Sequence, residues 1–354
     1  MKKKVLFVLI ALCTAFVFTS CGNSDNVADS EQSTQLTTVR VGYNPGIGNI
    51  LGFIALDSGI AYAEGLELEF VPFTATTDAL NALQANMIDV AVSFGTAGPL
   101  TFITQGANFT IFGGFLSGGM PIFAPPGFHY TGPESFVGLD VATGRMLTPD
   151  IVWRVAMHNA GYDLDNDVNI LEMRSAGDVL AAVAAGNADV GVGTNSTYLR
   201  ALEAGLEVIA WSNELWDPVH VCCRLVANTS WVDENPNIAK AFLRTYLQAE
   251  RVFKNDPEYA VDVNMRFLDI SEEDARTMLL ETNIIVGTDP QRNSVRHMWE
   301  SMTNIGYLEP SGVNLDNHIN IELYRQALDE IAEENPDVDF FRALQVDFQA
   351  NNFD

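Results

Sequence analysis

Positive charge is scarce in this chain: 19 Lys and Arg stand against 46 Asp and Glu, a formal net charge of −27. Nucleic acid is therefore a poor partner, because its phosphates demand a basic footprint. The acid excess speaks for a soluble, self-repelling protein, in which an anionic ligand needs locally arranged donors to overcome the overall field. Cysteine is scarce too, with four residues. Cys13 lies in an apolar N-terminal run and Cys21 just after it, leaving Cys222 and Cys223, so neither a disulfide framework nor a cysteine zinc site is available. Neighbours in a strand point to opposite faces, so "VHVCCRLVA" reads as a strand with two small apolar residues rather than a strained bridge.

Motifs of catalysis and nucleotide binding are missing. No phosphate loop ending in Gly-Lys-Ser/Thr occurs, and "YNPGIGN" lacks the glycine spacing of a dinucleotide fingerprint. There is no HExxH and no Gly-x-Ser-x-Gly elbow, and His129, His158, His220, His297 and His318 stand in dissimilar contexts. The segment "DLDND" suggests a calcium loop, but Val168 and Arg174 occupy the places of its glycine and distal Glu. The expectation is no metal, no cofactor and no enzyme. The apolar run at 5–18 follows "MKKK" and is too short for a membrane span, which makes residues 1–20 an export signal. It ends "FTSC", where Thr19 and Ser20 precede Cys21, similar to the lipobox that bacteria cleave before a Cys that is then acylated, as with palmitate. Phe18 stands where that motif usually has Leu. The polar residues 21–37 suit a tether from a lipid on Cys21, which would hold the exported protein at the outer face of the cell membrane, or on the periplasmic side in a host with two membranes.

What is present is a sentence written twice. "DALNALQANMIDVAVSFGT" begins at Asp78 and "DVLAAVAAGNADVGVGTNS" begins at Asp178, with Leu80 matching Leu180, Ala82 matching Ala182 and Asp89 matching Asp189. Two copies so far apart do not make a solenoid. They suit two lobes of similar topology. A hydrophobic content of 47% and 10% aromatic residues supply packed cores for both.

Strand and helix patterns alternate along the chain. "TTVRVGYN", "LELEFVPF" and "FTIFGGF" read as strands before the Gly- and Pro-rich "GGMPIFAPPGFHYTGPE", and "VGLDVAT", "DVNILEMR" and "EVIAWS" read as strands after it. This rhythm predicts right-handed βαβ units and parallel sheets. From Arg224 the pattern turns helical: Pro236, Pro257 and Pro290 read as helix starts, and Ser271 with Asp274 as a capping-box-like start. That helical segment would cover the first lobe. Lobe 1 then comprises residues 38–124 and 222–354, lobe 2 residues 125–221, and the chain crosses twice, near Ile122–Pro126 and Val219–Arg224.

Ligands of open parallel sheets sit at the carboxyl ends of the strands. In the first lobe those ends carry Tyr43, Asn44, Gly46 and Asn49, then Thr76, then Ser93, Phe94 and Thr96. In the second they carry Thr143 and Arg145, then Arg174, then Thr194 and Asn195. Hydroxyls, amides and glycine-exposed N–H groups before a helix bind anions, and Arg145 and Arg174 add charge-assisted donors. Tyr43 and Phe94 are the residues that could stack on a planar ligand. Such residues also serve as caps, turns and core in any α/β protein, so the case rests on six loops sharing one chemistry.

From about Val39 to Leu328 the chain resembles substrate-binding lipoproteins of ABC importers, in the group that handles nitrate, alkanesulfonates, taurine and thiamine-precursor pyrimidines. The resemblance rests on "VRVGY", "ALNALQANMIDVAVSFGT", "GLDVATGRMLTPDIVWRVAMHNAGYD", "DVLAAVAAGNADVGVGT" and "CCRLVANTSWVDENPNIAKAFLRTYLQA". It implies a bilobal α/β fold of the periplasmic-binding-protein type (type II), with two parallel-rich lobes joined by a two-segment hinge. It also implies a monomer that captures a small anionic or heterocyclic solute between its lobes and hands it to a membrane permease with its ATPase. Where the group commonly has Gly-Ser-Thr this chain has Gly144-Arg145-Met146, so the group's ligand does not carry over. A ligand-binding subunit of a membrane sensor and an enzyme of pyrimidine-precursor metabolism on the same fold are the alternatives.

Overall fold

Val39 and Val41 in "TTVRVGY" are fully buried on either side of half-exposed Arg40, the pattern that places β1 (Thr37–Tyr43) inside a sheet. In this computed structural model, residues 36–46, 48–216 and 219–353 are described. The export signal, Cys21 and nearly all of the tether lie outside them. Among the described residues no helix is long and apolar enough to cross a membrane.

Ten further strands follow: β2 (Leu66–Pro72), β3 (Val90–Ala91), β4 (Phe109–Gly118), β5 (Pro121–Ala124), β6 (Asp140–Gly144), β7 (Asn169–Met173), β8 (Val190–Val192), β9 (Glu207–Trp211), β10 (Val221–Asn228) and β11 (Ile284–Val286). They form two sheets, ordered β11-β4-β10-β3-β1-β2 and β7-β6-β8-β5-β9. β1 runs parallel to β2 and β3, and β6 parallel to β7 and β8. Three strands depart from the parallel expectation: β10 pairs antiparallel with β3 and β4, β11 with β4, and β5 with β8 and β9. For two of them the reason is topological. β5 and β10 each enter from the other lobe, with no helical crossover to turn them parallel.

The first crossing lies between Gly118 and Pro121, ahead of the expected Ile122–Pro126, and assigns Pro121–Ala124 to the second sheet. Gly118 and Gly119 make the turn in left-handed conformation (φ +61° and +70°), and a Cβ on Gly119 would lie 2.3 Å from Ile284 Cγ2. No side chain fits there.

The repeat is structural down to single hydrogen bonds. The helices Thr76–Gln84 and Ala176–Ala184 lead into Asn86 and Gly186, both left-handed (φ 56° and 71°). Met87 N and Asn187 N then donate back to Ala82 O and Ala182 O, closing both helices in the same way. Val41 pairs with Val90, and Val141 with Val190. Asp89 Oδ2 accepts from Arg40 N (2.8 Å) and Asp189 Oδ2 from Asp140 N (2.9 Å).

Two apolar clusters, one for each face, cover the first sheet, and two smaller ones cover the second. The helix Pro236–Asn255 inserts Phe242, Leu243, Tyr246 and Leu247 into the first of these, against Phe53 and Ile54. Each fully buried Phe or Leu contributes roughly 2 kcal/mol. Pro236 and Pro257 open helices as the sequence predicts, and Ser271 Oγ caps at Asp274 N (3.0 Å). Pro290 does not start one: the helix Arg292–Asn304 begins two residues later, behind Gln291.

Candidate functional site

The carboxyl ends of β1, β2, β6, β7 and β8 converge on a cavity of about 220 Å³ between the two halves of the repeat. Five of the residues singled out in the sequence line it: Asn44, Thr76, Arg145, Arg174 and Thr194. The helices Thr76–Gln84 and Ala176–Ala184 both start at its wall, so two corresponding N-termini meet across one space. At the second, Ser175 Oγ accepts from Asp178 N (3.2 Å); at the first, Ala75 provides no side-chain cap, which leaves the first N–H groups for a ligand. Each first turn also holds an acid, Asp78 or Asp178, partly offsetting the dipole. Met146, Leu147 and Met173 supply apolar wall.

The two cations differ. Arg145 is exposed, sits 3.2 Å from Glu172 and lies over the Tyr307 ring (5.3 Å to the centroid). Arg174, also exposed, has no ion pair and no side-chain hydrogen bond among the described residues.

The other residues singled out serve the scaffold. Tyr43 packs edge-on to Phe53 (5.7 Å) and Phe70 (5.9 Å) in the first core, and Phe94, buried, meets Phe73 (6.2 Å) in the second. Neither ring lines the cavity, which removes the stacking platform expected from the sequence. Asn49 caps the helix Ile50–Asp57 and bonds Tyr246 Oη (2.9 Å). Ser93 Oγ accepts from Asn44 N (2.7 Å), aiming the Asn44 loop. Thr143 Oγ1 donates to Asp150 (3.0 Å), and Asn195 Nδ2 donates to Gly119 O (2.6 Å), tying its loop to the first crossing. Gly46 lines a separate cavity of about 230 Å³ with Ser196 and Arg200, and a Cβ on it would lie 2.7 Å from Ser196 Cβ.

Thr96 and Thr148 hold the two halves together. Thr148 Oγ1 accepts from Thr96 N (2.9 Å), and both hydroxyls donate to Cys222 O, at 2.8 Å from Thr96 and 3.2 Å from Thr148. A Cβ on Gly95 would stand 2.8 Å from Thr148 Oγ1, and its φ of +79° is left-handed, so glycine alone suits this contact. Tyr307, for which the sequence carries no signal, adds a second tie: its Oη accepts from Met146 N at 2.6 Å. Burial pushes the Tyr307 hydroxyl well above its usual range, so it stays protonated.

A larger cavity of about 710 Å³ lies beyond Arg145 and Met146, lined by Arg154, His158, Tyr162 and Glu309 among others. It shares Arg145 and Met146 with the smaller cavity, but none of residues 74–77 or 174–176 lines it. Among the described residues no three His, Cys, Asp or Glu gather to hold a metal.

The model of the NMT1-like family matches residues 32–265, more than half of the chain. The chain belongs to the NMT1-like family. Among its relatives is the formylaminopyrimidine-binding protein of Halalkalibacterium halodurans, 21% identical over 294 residues, covering 78% of this chain and 86% of the relative. The fold is that of the periplasmic aliphatic sulphonate binding protein SsuA from Escherichia coli (TM-score 0.65, 16% identity, 81% of this chain and 99% of that one). The periplasmic nitrate-binding protein NrtA from Synechocystis is similar in fold too (TM-score 0.69, 16% identity, 84% and 89%). These family neighbours are binding proteins, and they come from the group that the sequence motifs resemble. The periplasmic-binding-protein fold with two α/β lobes is the expected one.

Proposed function

We propose that the chain captures a compact anionic solute in the cavity between the two helix starts and delivers it to an ABC permease and its ATPase. The observation that carries this reading is Arg174, an exposed guanidinium at the cavity wall with no ion pair among the described residues, in a chain with more than twice as many acids as bases. Sulfonates, carboxylates and nitrate fit a site of one free cation, hydroxyls and uncapped N–H groups, with Met146, Leu147 and Met173 against a short apolar body. The sulphonate and nitrate proteins among the structural neighbours support it. A pyrimidine, suggested by the name of the formylaminopyrimidine-binding relative, is the second reading. It is disfavoured here because Tyr43 and Phe94 are committed to cores. The larger cavity is not the solute site in this reading, because neither helix start lines it.

Binding would close the two lobes about the two crossings, as a solute that touches both selects the closed state. The chain acts as a monomer held by a lipid on Cys21 and not as an enzyme. The same fold would serve a membrane sensor, and loss of solute uptake on deletion separates importer from sensor. A thermal-shift screen against nitrate, taurine, alkanesulfonates and aminopyrimidines tests the solute class. A ligand at 100 times its Kd stabilises by about 2.7 kcal/mol. Stabilisation by the anions that is lost in Arg174→Ala supports the proposal, and stabilisation by aminopyrimidines alone replaces it with the second reading.

A further inference from the structure

Cys222 and Cys223 do not point apart as strand neighbours should. Register shifts in the pairing of β10 with β4 set a bulge at these two residues, and their Sγ atoms lie 3.5 Å apart as free thiols. Met120 Sδ, from the first crossing, is 3.7 Å from Cys222 Sγ, so the pair sits where both crossings meet. We propose that this pair is a covalent-modification site, oxidised to a ring disulfide by a low-molecular-weight disulfide, and that ring closure unfastens the contact between the two lobes.

The peptide enclosed by such a ring is the one joining Cys222 to Cys223. Its carbonyl is the shared acceptor of Thr96 Oγ1 from the first lobe and Thr148 Oγ1 from the second. Bringing the sulfurs from 3.5 Å to a bond of about 2.05 Å must turn that peptide, and the carbonyl leaves both hydroxyls. Adjacent Cα atoms are about 3.8 Å apart, shorter than the ~4.4–6.8 Å of ordinary disulfides, so the bond is strained and readily reduced. It is suited to switching rather than to stapling.

In the reaction, the Cys223 thiolate attacks one sulfur of the reagent RSSR and releases one RSH after protonation. Cys222 then gives up its proton and attacks the Cys223 sulfur, releasing the second RSH. Two thiols and one RSSR thus become one protein disulfide and two RSH, with two electrons passed to the reagent. Cys223 is the better first nucleophile: the hydrogen bond from Cys222, the Gly95 N–H and the neighbouring Arg224 guanidinium draw its thiol below its usual value. Both thiols are buried beneath Gly95, Thr96 and Thr148, the interlobe contact itself, so the reagent reaches them when the lobes part.

The reduced chain is incubated with oxidised glutathione, digested with trypsin, and the peptide 201–224, which excludes Cys13 and Cys21, is weighed. The expected result is a loss of two hydrogens, reversed by dithiothreitol, with a larger radius of gyration by small-angle scattering in the oxidised form. Cys223→Ser should show neither change. Thr148→Val should give the larger radius without any oxidant, which keeps the test decisive even where the cysteine variant fails to fold. A peptide that keeps its hydrogens, a glutathione adduct that stops at one cysteine, or an oxidised form of unchanged radius would each overturn the proposal. None of these readouts uses a solute, so they stand apart from the solute class proposed above.

Discussion

The loops that follow β3 and β8 begin from matched strands, yet they do different work. After β3, Ser93 and Thr96 spend their hydroxyls inside the protein, on Asn44 N and Cys222 O. After β8, Thr194 and Ser196 bond each other at 2.6 Å, and Thr194 lines the cavity. The same contrast runs through the acids beneath. Asp89 is buried and holds the Arg40 backbone and guanidinium together, whereas Asp189, exposed, accepts from Asp140 N alone. Repetition preserves the backbone pattern, while burial decides which copy spends its polar groups inside the protein and which leaves them at the cavity.

The sharpest way to break this contrast is to remove the two acids. Asp89→Ala loses three charge-assisted bonds at a buried site and should cost about 3 kcal/mol in a urea titration, against about 1 kcal/mol or less for Asp189→Ala. Equal costs would mean that the copies are energetically alike.

The two cations of the cavity come next. Arg174→Ala should weaken anion binding about tenfold, the loss of one charge-assisted bond. Arg145→Ala, whose charge is already shared with Glu172 and whose guanidinium lies over Tyr307, should weaken it about threefold or less. Calorimetric titration of the anion found by thermal shift ranks them, and the reverse order would move the seat of charge to Arg145.

Much of the fold is legible in the sequence. The repeat is visible because Asp89 and Asp189 both answer a backbone N–H, and five residues read from the strand-end loops line one cavity. Individual residues within those loops were less legible. Tyr43 and Phe94 looked available because sequence shows that an aromatic stands near a strand end, not which face it takes, and both faces of the first sheet are apolar. Cys222 and Cys223 looked opposed because alternation assumes a regular strand, and the bulge that joins them depends on pairing with β4. Tyr307 reaches Met146 across 161 positions, a contact that no local pattern announces. β10 reads as an ordinary strand and β5 is hidden in the Gly- and Pro-rich stretch, and the direction of both follows only from the crossings.

Smaller effects sharpen the comparison further. The helix ends differ by one residue, Asn86 against Gly186, at the same left-handed backbone. Gly186→Ala meets no atom within 4 Å, so its cost of about 1 kcal/mol should be purely conformational. Gly186→Asn, which copies the first half of the repeat, should cost only a few tenths in the same titration. A larger penalty for Asn would show that the two ends are not interchangeable.

A further effect, read as a pH dependence, concerns Glu250, buried in the first lobe with Thr288 N and Oγ1 as donors to its carboxylate. Burial is the main cause that raises its pKa, outweighing the Thr288 bonds. A raised carboxyl gives stability that is complete below the ordinary carboxylate range and lost as pH climbs through the raised value. Glu250→Gln should therefore flatten that loss, with thermal melts across mildly acidic to neutral pH as the check. The second lobe's buried carboxylate, Asp150, is instead met by Arg154 at 2.6 Å.

The central claim, that two matched lobes close around a small solute, is tested most directly by small-angle scattering of the reduced chain with and without the solute that stabilises it most in the thermal screen. The account predicts a smaller radius of gyration at saturation. An unchanged radius with the site demonstrably occupied would contradict it.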